Sequence, residues 1–163
     1  MDSPKKVHVQ IGQVHTGQPG EILTAILGSC VGIGFINRDR NICGLAHCLL
    51  SSTGQVTNKI DARHVDQAIL SLKSLMDIDD DERRRVQVVL CGGANMSLPE
   101  DTDPKRLVGT TNAKFARKAI KAAGFRLSHE DLGGVLGRQV TIDCATRQHL
   151  IAKIPRLGGK NEL

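Results

Sequence analysis

The pattern of apolar and polar positions in the first fifty residues predicts antiparallel strands. Apolar runs cover residues 22–27, 31–36 and 42–50, and glycine-rich or polar breaks separate them. Short apolar runs divided by turn residues are typical of antiparallel strands. Residues 7–11 alternate between apolar and polar side chains and predict one more short strand. The amino-terminal third is therefore expected to be mostly β-structure.

Two later segments show the three- and four-residue spacing of amphipathic helices. The apolar positions of the first are Val65, Ile69, Leu72 and either Leu75 or Met76. Its expected N-cap is Asp61, whose carboxylate could accept hydrogen bonds from the first turn. The second helix is expected to begin at Thr110 or Asn112 and to end at Gly124, the usual residue type past a helix C-terminus.

The remaining apolar segments complete a mixed architecture. Residues 86–90 predict a strand buried on both faces, and residues 139–143 and 149–154 predict two more strands. These elements together predict an α/β fold, a single-domain layered sandwich with a largely antiparallel mixed sheet covered by helices. The domain is expected to span residues 1–163, with a core at about 7–155 and a polar tail at 156–163.

Composition restricts the compartment and the partners. The chain of 163 residues has three Phe and no Trp or Tyr, so aromatic stacking on nucleic-acid bases is poorly supported. No apolar run approaches the roughly 20 residues of a membrane span, and the first residues lack a signal peptide's apolar segment. The net charge of +5 favours an acidic partner, but the basic residues are dispersed. We expect a cytoplasmic protein that neither enters membranes nor binds nucleic acid.

The cysteine content raises the question of thiol chemistry. The chain has an odd number of cysteines and no C-x-x-C pair: Cys30, Cys43, Cys48, Cys91 and Cys144. In a reducing compartment they are expected to remain free thiols. One of them could therefore serve as a nucleophile, because the thiolate of cysteine is strongly nucleophilic.

A hairpin in the sequence suggests which cysteine is used. A turn over residues 37–40 would pair Ile36 with Asn41 and would set Cys30 directly opposite His47. Directly opposed residues share a face of the sheet, with Cβ atoms roughly 4.5–5.5 Å apart. The imidazole could then accept the thiol proton and return it to a leaving amine. A slip of one residue would place the two side chains on opposite faces.

Three neighbouring residues could complete this site. Gly28 and Ser29 precede the cysteine and would leave the backbone open, so that its N–H groups could bind an oxyanion. Thr24, on the preceding strand, is a candidate for orienting the imidazole.

Other interpretations of the same residues remain open at this stage. A cysteine close to a histidine is often simply part of the core. A zinc site formed by Cys43, His47 and Cys48 is disfavoured, because side chains at 47 and 48 point to opposite faces of a strand.

Two further motifs also have a structural and a functional interpretation. The glycine loops at 91–95 and 133–137 are typical of tight turns and match no nucleotide-binding pattern. A basic helix face could be a solvated surface or could bind an acidic protein; it consists of Lys114, Arg117, Lys118 and Lys121.

Five segments of the chain occur in an order that is specific as a set. They are TAILGSCV at 24–31, GLAH at 44–47, CGGANM at 91–96, VGTTN at 108–112 and DLGGVLGR at 131–138. Together they make the chain resemble the CheD family of chemoreceptor glutamine deamidases over about residues 8–155. Ala46 and Cys48 depart from that family, which usually has Asn before the histidine and an aromatic residue after it.

The resemblance implies a fold, an activity and partners. The fold would be an α/β sandwich similar to the catalytic domains of deamidating toxins. The activity would be hydrolysis of receptor glutamine to glutamate without a metal or organic cofactor, with Cys30 as nucleophile, His47 as base and Thr24 orienting the histidine. The partners would be the cytoplasmic helical bundles of methyl-accepting chemotaxis receptors and, as in some members, a CheC-type phosphatase.

Three alternatives to that activity remain. The chain could be a non-catalytic module that binds a receptor or a phosphatase. It could instead hydrolyse another amide, or the methyl ester of a receptor, because the same nucleophile would attack either group.

Overall fold

The computed structural model describes residues 3–156, and within them it contains nine strands and two α-helices. The strands are β1 Lys5–His8, β2 Val14–Gly17, β3 Glu21–Leu27, β4 Val31–Asn37, β5 Ile42–Cys48, β6 Val86–Gly92, β7 Leu127–Leu132, β8 Gly137–Asp143 and β9 Gln148–Ile154. The helices are α1 Val65–Leu75 and α2 Val108–Ala122, and short 3-10 helices cover Arg83–Arg85 and Pro104–Arg106. The predicted polar tail lies outside the described residues, apart from Arg156.

The strands form two sheets that pack face to face. One has four strands in the order β1-β3-β8-β9, and the other has five in the order β2-β5-β4-β6-β7. β1 pairs with β3 and β6 with β7 in parallel, whereas the other pairs are antiparallel. The predicted α/β layered sandwich with largely antiparallel mixed pairing is confirmed, and the structure divides its strands between two sheets.

Two apolar layers hold the sandwich together. Leu23, Val140 and Ile142 of the four-stranded sheet pack against Ile36 and Leu45 of the five-stranded sheet. On its other face the five-stranded sheet packs against both helices, through residues that include Val31, Ile33, Phe35, Leu72 and Ile120. β4 lies between the two layers and is buried along its whole length, which explains why its sequence is a continuous apolar run.

Both helices are confirmed, but their predicted N-caps are wrong. α1 begins after His64, and the backbone N–H of Asp61 instead donates to Ser71 Oγ at 3.0 Å. α2 begins at Val108, one turn before the expected residues, because buried Asn112 is occupied elsewhere: its Nδ2 donates to Leu49 O at 2.8 Å. The predicted end of α2 is correct, since Gly124 follows it with φ +87°.

The predicted register of the β4–β5 hairpin is wrong by two residues. Asn37 stays in the ladder opposite Ile42, so that Gly32, and not Cys30, lies opposite His47. The physical reason is that buried Asn37 donates its amide to Glu82 Oε2 at 3.1 Å, which holds it in the strand. The chain turns one residue later, where Asn41 adopts φ +52°. Because the register differs by two residues, each side chain of the two strands stays on the face of the sheet that was predicted for it.

Two edge strands were not expected from the sequence. β2 has four residues, and β7 has the mostly polar sequence LSHEDL with exposed side chains at its centre. Each lies at one edge of the five-stranded sheet and pairs with a single neighbouring strand. An edge strand is less buried than a central strand, so it needs no strong apolar pattern. Neither helix within residues 3–156 is long and apolar enough to cross a membrane.

Candidate active site

Cys30 lies in the bend where the chain passes from one sheet to the other. The bend connects β3 of the four-stranded sheet to β4 of the five-stranded sheet. Gly28 and Ser29 in this bend are half-buried, and Cys30 is 6 % exposed. The other four cysteines are at most 1 % exposed. Cys30 is therefore the most accessible thiol of the chain.

The glycine loop after β6 is hydrogen-bonded to this bend. Gly93 N–H donates to Cys30 O at 2.8 Å, and Ala94 N–H donates to Gly28 O at 3.0 Å. Gly92 has φ +103°, and a Cβ on it would lie 2.3 Å from Cys30 O. The close approach of the two backbones therefore requires glycine at position 92. The predicted tight turn at 91–95 is thus also the support of the cysteine.

The same hydrogen bonds orient the N–H group of Ser29. The carbonyl of a trans peptide unit and the following N–H point in opposite directions. Because Gly28 O points toward Ala94 N, the N–H of Ser29 points away from the supporting loop. This arrangement can offer a backbone donor to an oxyanion that forms beside Cys30.

The imidazole of His47 is buried and has a defined tautomer. Its Nδ1 lies 2.9 Å from the carbonyl oxygen of Val9, and the side chain is 4 % exposed. A carbonyl oxygen only accepts hydrogen bonds, so Nδ1 must carry the proton. Nε2 consequently has a free lone pair, which is the state that a general base requires.

The amino-terminal turn fixes the backbone of His47 as well as its ring. His47 N–H donates to Gln13 O at 3.0 Å, and Gly12 N–H donates to His47 O at 2.8 Å. Together with the bond from Nδ1 to Val9 O, three hydrogen bonds join one short turn to one residue. Val9 was missed by the sequence reasoning because it acts through its backbone, which leaves no side-chain signal.

Thr24 is connected to His47 through Val9. Its hydroxyl donates to Val140 O at 3.0 Å and lies 3.4 Å from Thr141 Oγ1, so it is directed toward β8 and not toward the imidazole. Its backbone carbonyl accepts a hydrogen bond from Val9 N–H at 2.8 Å. Thr24 therefore holds the backbone of Val9, the residue whose carbonyl binds the histidine.

Cys30 and His47 lie on the face of β4–β5 that meets the four-stranded sheet. Cys30 belongs to the apolar layer between the sheets, and a Cβ on Gly32, opposite His47, would contact Leu27 of the same layer. Cys30 directly precedes β4 and is two residues before Gly32, which corresponds to a diagonal position relative to His47; diagonal neighbours are roughly 7–8 Å apart, with Cβ atoms somewhat closer. Within residues 3–156 no hydrogen bond joins the thiol to the imidazole. A diagonal pair remains within reach of a side chain as long as histidine.

Burial keeps both groups in their neutral forms. Desolvation raises the pKa of the Cys30 thiol above its ordinary value of 9.0. Desolvation also lowers the pKa of His47 below 6.5, and the hydrogen bond to Val9 opposes this only in part. At neutral pH the site therefore holds a thiol and a neutral imidazole.

The structure argues against a metal site at this histidine. Cys43 packs in the layer between the sheets, whereas Cys48 packs in the layer against the helices. The two thiols therefore lie on opposite faces of β5 and cannot converge with His47 on one ion. Within residues 3–156 no group of three or more His, Cys, Asp or Glu side chains is placed to hold a metal.

A second glycine loop, at 133–137, stacks on the first and is held by a buried arginine. Arg138 is 4 % exposed and forms a salt bridge with Asp131 at 3.1 Å. Its guanidinium also donates to the carbonyls of Gly133 and Leu136. The loop in turn accepts a hydrogen bond from Asn95 N–H through Gly134 O at 2.9 Å. Arg138 thus binds the second loop, which is hydrogen-bonded to the first loop, which in turn is hydrogen-bonded to the bend of Cys30.

Comparison with known proteins connects this arrangement to a family. A family model described as CheD chemotactic sensory transduction matches residues 49–153, a segment that begins just after His47. The chain is 54 % identical over 172 aligned positions to the probable chemoreceptor glutamine deamidase CheD 2 of Ruegeria sp. (strain TM1040), with 94 % of this chain and 95 % of that protein covered.

More distant relatives give the same result. The probable chemoreceptor glutamine deamidase CheD of Bdellovibrio bacteriovorus is 31 % identical over 153 positions, with 94 % of this chain and 97 % of that protein covered. That of Methanococcus maripaludis is 32 % identical, with coverage of 89 % and 93 %. Among solved structures, a hypothetical protein YfiH from Bacillus licheniformis aligns with a TM-score of 0.41 and 14 % identity over 72 % of this chain and 49 % of that one.

Proposed function

The chain belongs to the CheD family, and we propose that it hydrolyses the side-chain amide of glutamine residues on chemoreceptors. The products are glutamate on the receptor and free ammonia. The observation that carries the proposal is the placement of Cys30, the most exposed thiol, on the same sheet face as an imidazole whose Nε2 is free to accept a proton. The names of the relatives support the substrate class.

In the first step Cys30 Sγ attacks the carboxamide carbon of the substrate. His47 Nε2 takes the thiol proton during the attack, since the raised pKa of Cys30 and the lowered pKa of His47 leave little thiolate beforehand. Rotation of the Cys30 and His47 side chains toward each other brings Sγ close to Nε2. The N–H of Ser29 and its neighbours in the Gly28–Cys30 bend donate to the oxyanion.

In the second step the tetrahedral intermediate collapses to a thioester. His47, now an imidazolium, donates its Nε2 proton to the nitrogen of the departing ammonia as the C–N bond breaks. The carbonyl of Val9 stabilises the imidazolium through Nδ1, and Thr24 keeps that carbonyl in place through the Val9 N–H. Water then gives a proton to His47 and attacks the thioester carbonyl; the C–S bond breaks, the imidazolium returns the proton to Sγ, and the released acid ionises to glutamate.

Replacement of the nucleophile tests this function. We expect Cys30→Ala to abolish ammonia release from a purified chemoreceptor fragment while the far-UV circular dichroism is unchanged. Cys144→Ala, which alters a thiol 0 % exposed in the same layer, is the control and should retain activity. Full activity of purified Cys30→Ala would refute the assignment. Peptide mass spectrometry separates deamidation, which raises the mass slightly, from ester hydrolysis, which lowers it by a methylene group.

The proposed partners are the cytoplasmic parts of chemoreceptors and, as the family resemblance implies, a CheC-type phosphatase. The second partner can be tested separately, because a complex with purified phosphatase would be detected by co-elution in gel filtration. We expect such a complex to form equally well with Cys30→Ala, since the thiol is almost buried and offers little surface for binding.

A further inference from the structure

Two adjoining cavities form one groove along the amino-terminal part of α2. The first has a volume of about 360 Å³ and lies between Leu50 and His64 on one side and Lys105 and Val108 on the other. The second, of about 460 Å³, continues along α2 to Lys118. Lys105 and Thr111 line both cavities, so the two lie side by side. We call the two together the basic groove.

The charge of the basic groove has one sign. Its permanent cations are Lys105, Arg106, Lys114 and Lys118, and neither cavity is lined by a carboxylate. Within residues 3–156 none of these four cations forms a salt bridge. Arg117 of the same helix behaves differently, because it is paired with Glu130 at 2.8 Å on another side of α2. The cations of the groove are therefore available to a carboxylate from outside.

Apolar side chains accompany these cations. Leu50 is 37 % exposed and Val108 is 55 % exposed, and Phe115 lines the second cavity from the helix side. A surface that combines apolar side chains with unpaired lysines complements a segment that carries both apolar and acidic residues. It offers little to nucleic acid, for which aromatic stacking platforms are expected.

One end of the basic groove adjoins the candidate active site. Leu50 and Ser51 follow β5, the strand that carries His47, and Ser51 Oγ donates to Asn112 Oδ1 at 2.7 Å. Leu49, whose carbonyl accepts from Asn112, packs against the apolar layer that contains Cys30. Leu49 therefore links one end of the groove to the layer that contains Cys30.

We propose that the basic groove binds an acidic, partly apolar segment of the chemoreceptor next to the glutamine that is hydrolysed. This inference rests on the proposed function for the identity of the partner. A second copy of the chain is a weaker occupant, although its segment 77–82 carries exposed aspartates. Carboxylates of that segment are already paired within the molecule, Asp80 with Lys73 and Arg83 and Glu82 with Arg40.

Binding measured in an inactive background tests the groove without relying on catalysis. A labelled chemoreceptor cytoplasmic fragment is titrated with Cys30→Ala protein, and anisotropy gives Kd at several salt concentrations. Adding Lys114→Glu and Lys118→Glu should raise Kd by about tenfold and flatten its salt dependence. Adding Lys5→Glu and Lys153→Glu, two exposed lysines of the four-stranded sheet, makes the same change in net charge and is the matched control, which should leave Kd within about twofold.

Kinetics with active Cys30 provide the second measurement. The Lys114→Glu, Lys118→Glu variant should raise KM for the receptor fragment and leave kcat unchanged, since its groove only positions the substrate. Unchanged Kd and KM in this variant would overturn the groove assignment. So would a concentration-dependent dimer that the variant abolishes, or tighter binding of an oligonucleotide than of the receptor fragment. Normal groove-dependent binding without any deamidation would instead refute the proposed function and leave the groove in place.

Discussion

At His47 a single backbone acceptor decides which ring nitrogen carries the proton. The carbonyl of Val9 fixes the proton on Nδ1, and burial keeps the ring neutral. Both effects prepare Nε2 as a base. Because the pKa of the ring in the folded protein is lower than its ordinary value of 6.5, the base stays unprotonated in mildly acidic solution.

The pH dependence of activity follows from these two neutral groups. We expect kcat/KM for receptor deamidation to fall on the acid side with a midpoint below pH 6.5, where His47 becomes protonated. On the alkaline side it should stay level beyond pH 8.5, because the pKa of Cys30 is raised and no preformed thiolate is required. A profile that rises steeply up to pH 9 would show that the free thiolate is the reacting species.

The same histidine makes stability depend on pH. Its folded-state pKa is lowered, so the unfolded chain binds more protons as the pH falls through 6.5. The stabilisation is therefore present above pH 6.5 and is lost below it. We expect urea midpoints measured between pH 7.5 and 5 to decline less in His47→Gln than in the wild type, and an equal decline would contradict this assignment.

Thr24 provides a test of how the imidazole is positioned. Thr24→Val keeps the shape of the side chain but removes the hydroxyl that donates to Val140 O. We expect a loss of about 1 kcal/mol in the free energy of unfolding, with the acid limb of the pH profile unmoved. If the hydroxyl itself contacted His47 during the reaction, the acid limb would shift and kcat would fall far more than stability.

Among the secondary-structure elements, the two stacked glycine loops determine the shape of the site. Gly92 has a left-handed φ and approaches Cys30 O, and Arg138 binds the carbonyls of the second loop. Neither contact involves the reacting atoms. They fix the backbone of the bend that carries the Cys30 thiol and the N–H group of Ser29.

A methyl group at position 92 should displace this bend. Gly92→Ala would place Cβ 2.3 Å from Cys30 O, whereas Gly20→Ala introduces the same strain in a position of nearly equal φ with no atom within 4 Å. We expect Gly20→Ala to cost roughly 1 kcal/mol of stability and to keep full activity. Gly92→Ala should be less stable than this control and should lose most deamidase activity in purified, folded protein; equal activity of the two variants would argue against the role of the loop.

Removal of the buried guanidinium should loosen both loops. Arg138→Met leaves Asp131 and two carbonyls without their donor, and we expect a loss of roughly 3–5 kcal/mol in urea denaturation. Arg117→Met removes a half-exposed salt bridge with Glu130 and should cost less than about 1 kcal/mol. Hydrogen exchange at Ala94 and Asn95 should accelerate only in the first variant.

The elements that the sequence predicts correctly are those whose own pattern determines them. The helical spacing of α1 and the apolar runs of β4 and β6 are local signals, and both survive in the structure. The N-cap of α2 and the register of β4–β5 depend on Asn112 and Asn37, whose partners are distant in sequence. Such contacts are set by tertiary structure, so local patterns could not supply them.

For the molecule as a whole, the candidate site lies where the two sheets meet. Cys30 and His47 could be proposed from sequence because a thiol and an imidazole are reactive side chains and because both lie in a specific set of motifs. The relative position of Cys30 and His47 and the hydrogen bond from His47 to Val9 could not be predicted from sequence. Both depend on how the four-stranded sheet packs on the five-stranded sheet.

The net charge of +5 should appear in the kinetics of receptor encounter. We expect kcat/KM for the receptor fragment to fall as salt rises from 50 to 500 mM, because screening weakens long-range attraction to an acidic partner. A short uncharged glutamine peptide is the comparison substrate, and its hydrolysis should vary little. Salt-independent rates for both substrates would contradict electrostatic steering.

The hydrogen bond between His47 and the backbone carbonyl of Val9 has a consequence for mutational scanning. Every amino acid presents the same oxygen at position 9, so replacing Val9 by another buried apolar residue should leave turnover nearly intact. Removing the first dozen residues would eliminate that oxygen altogether and leave the ring without its anchor. We therefore expect a scan of side chains to score position 9 as dispensable, and a truncation of the same segment to abolish deamidation.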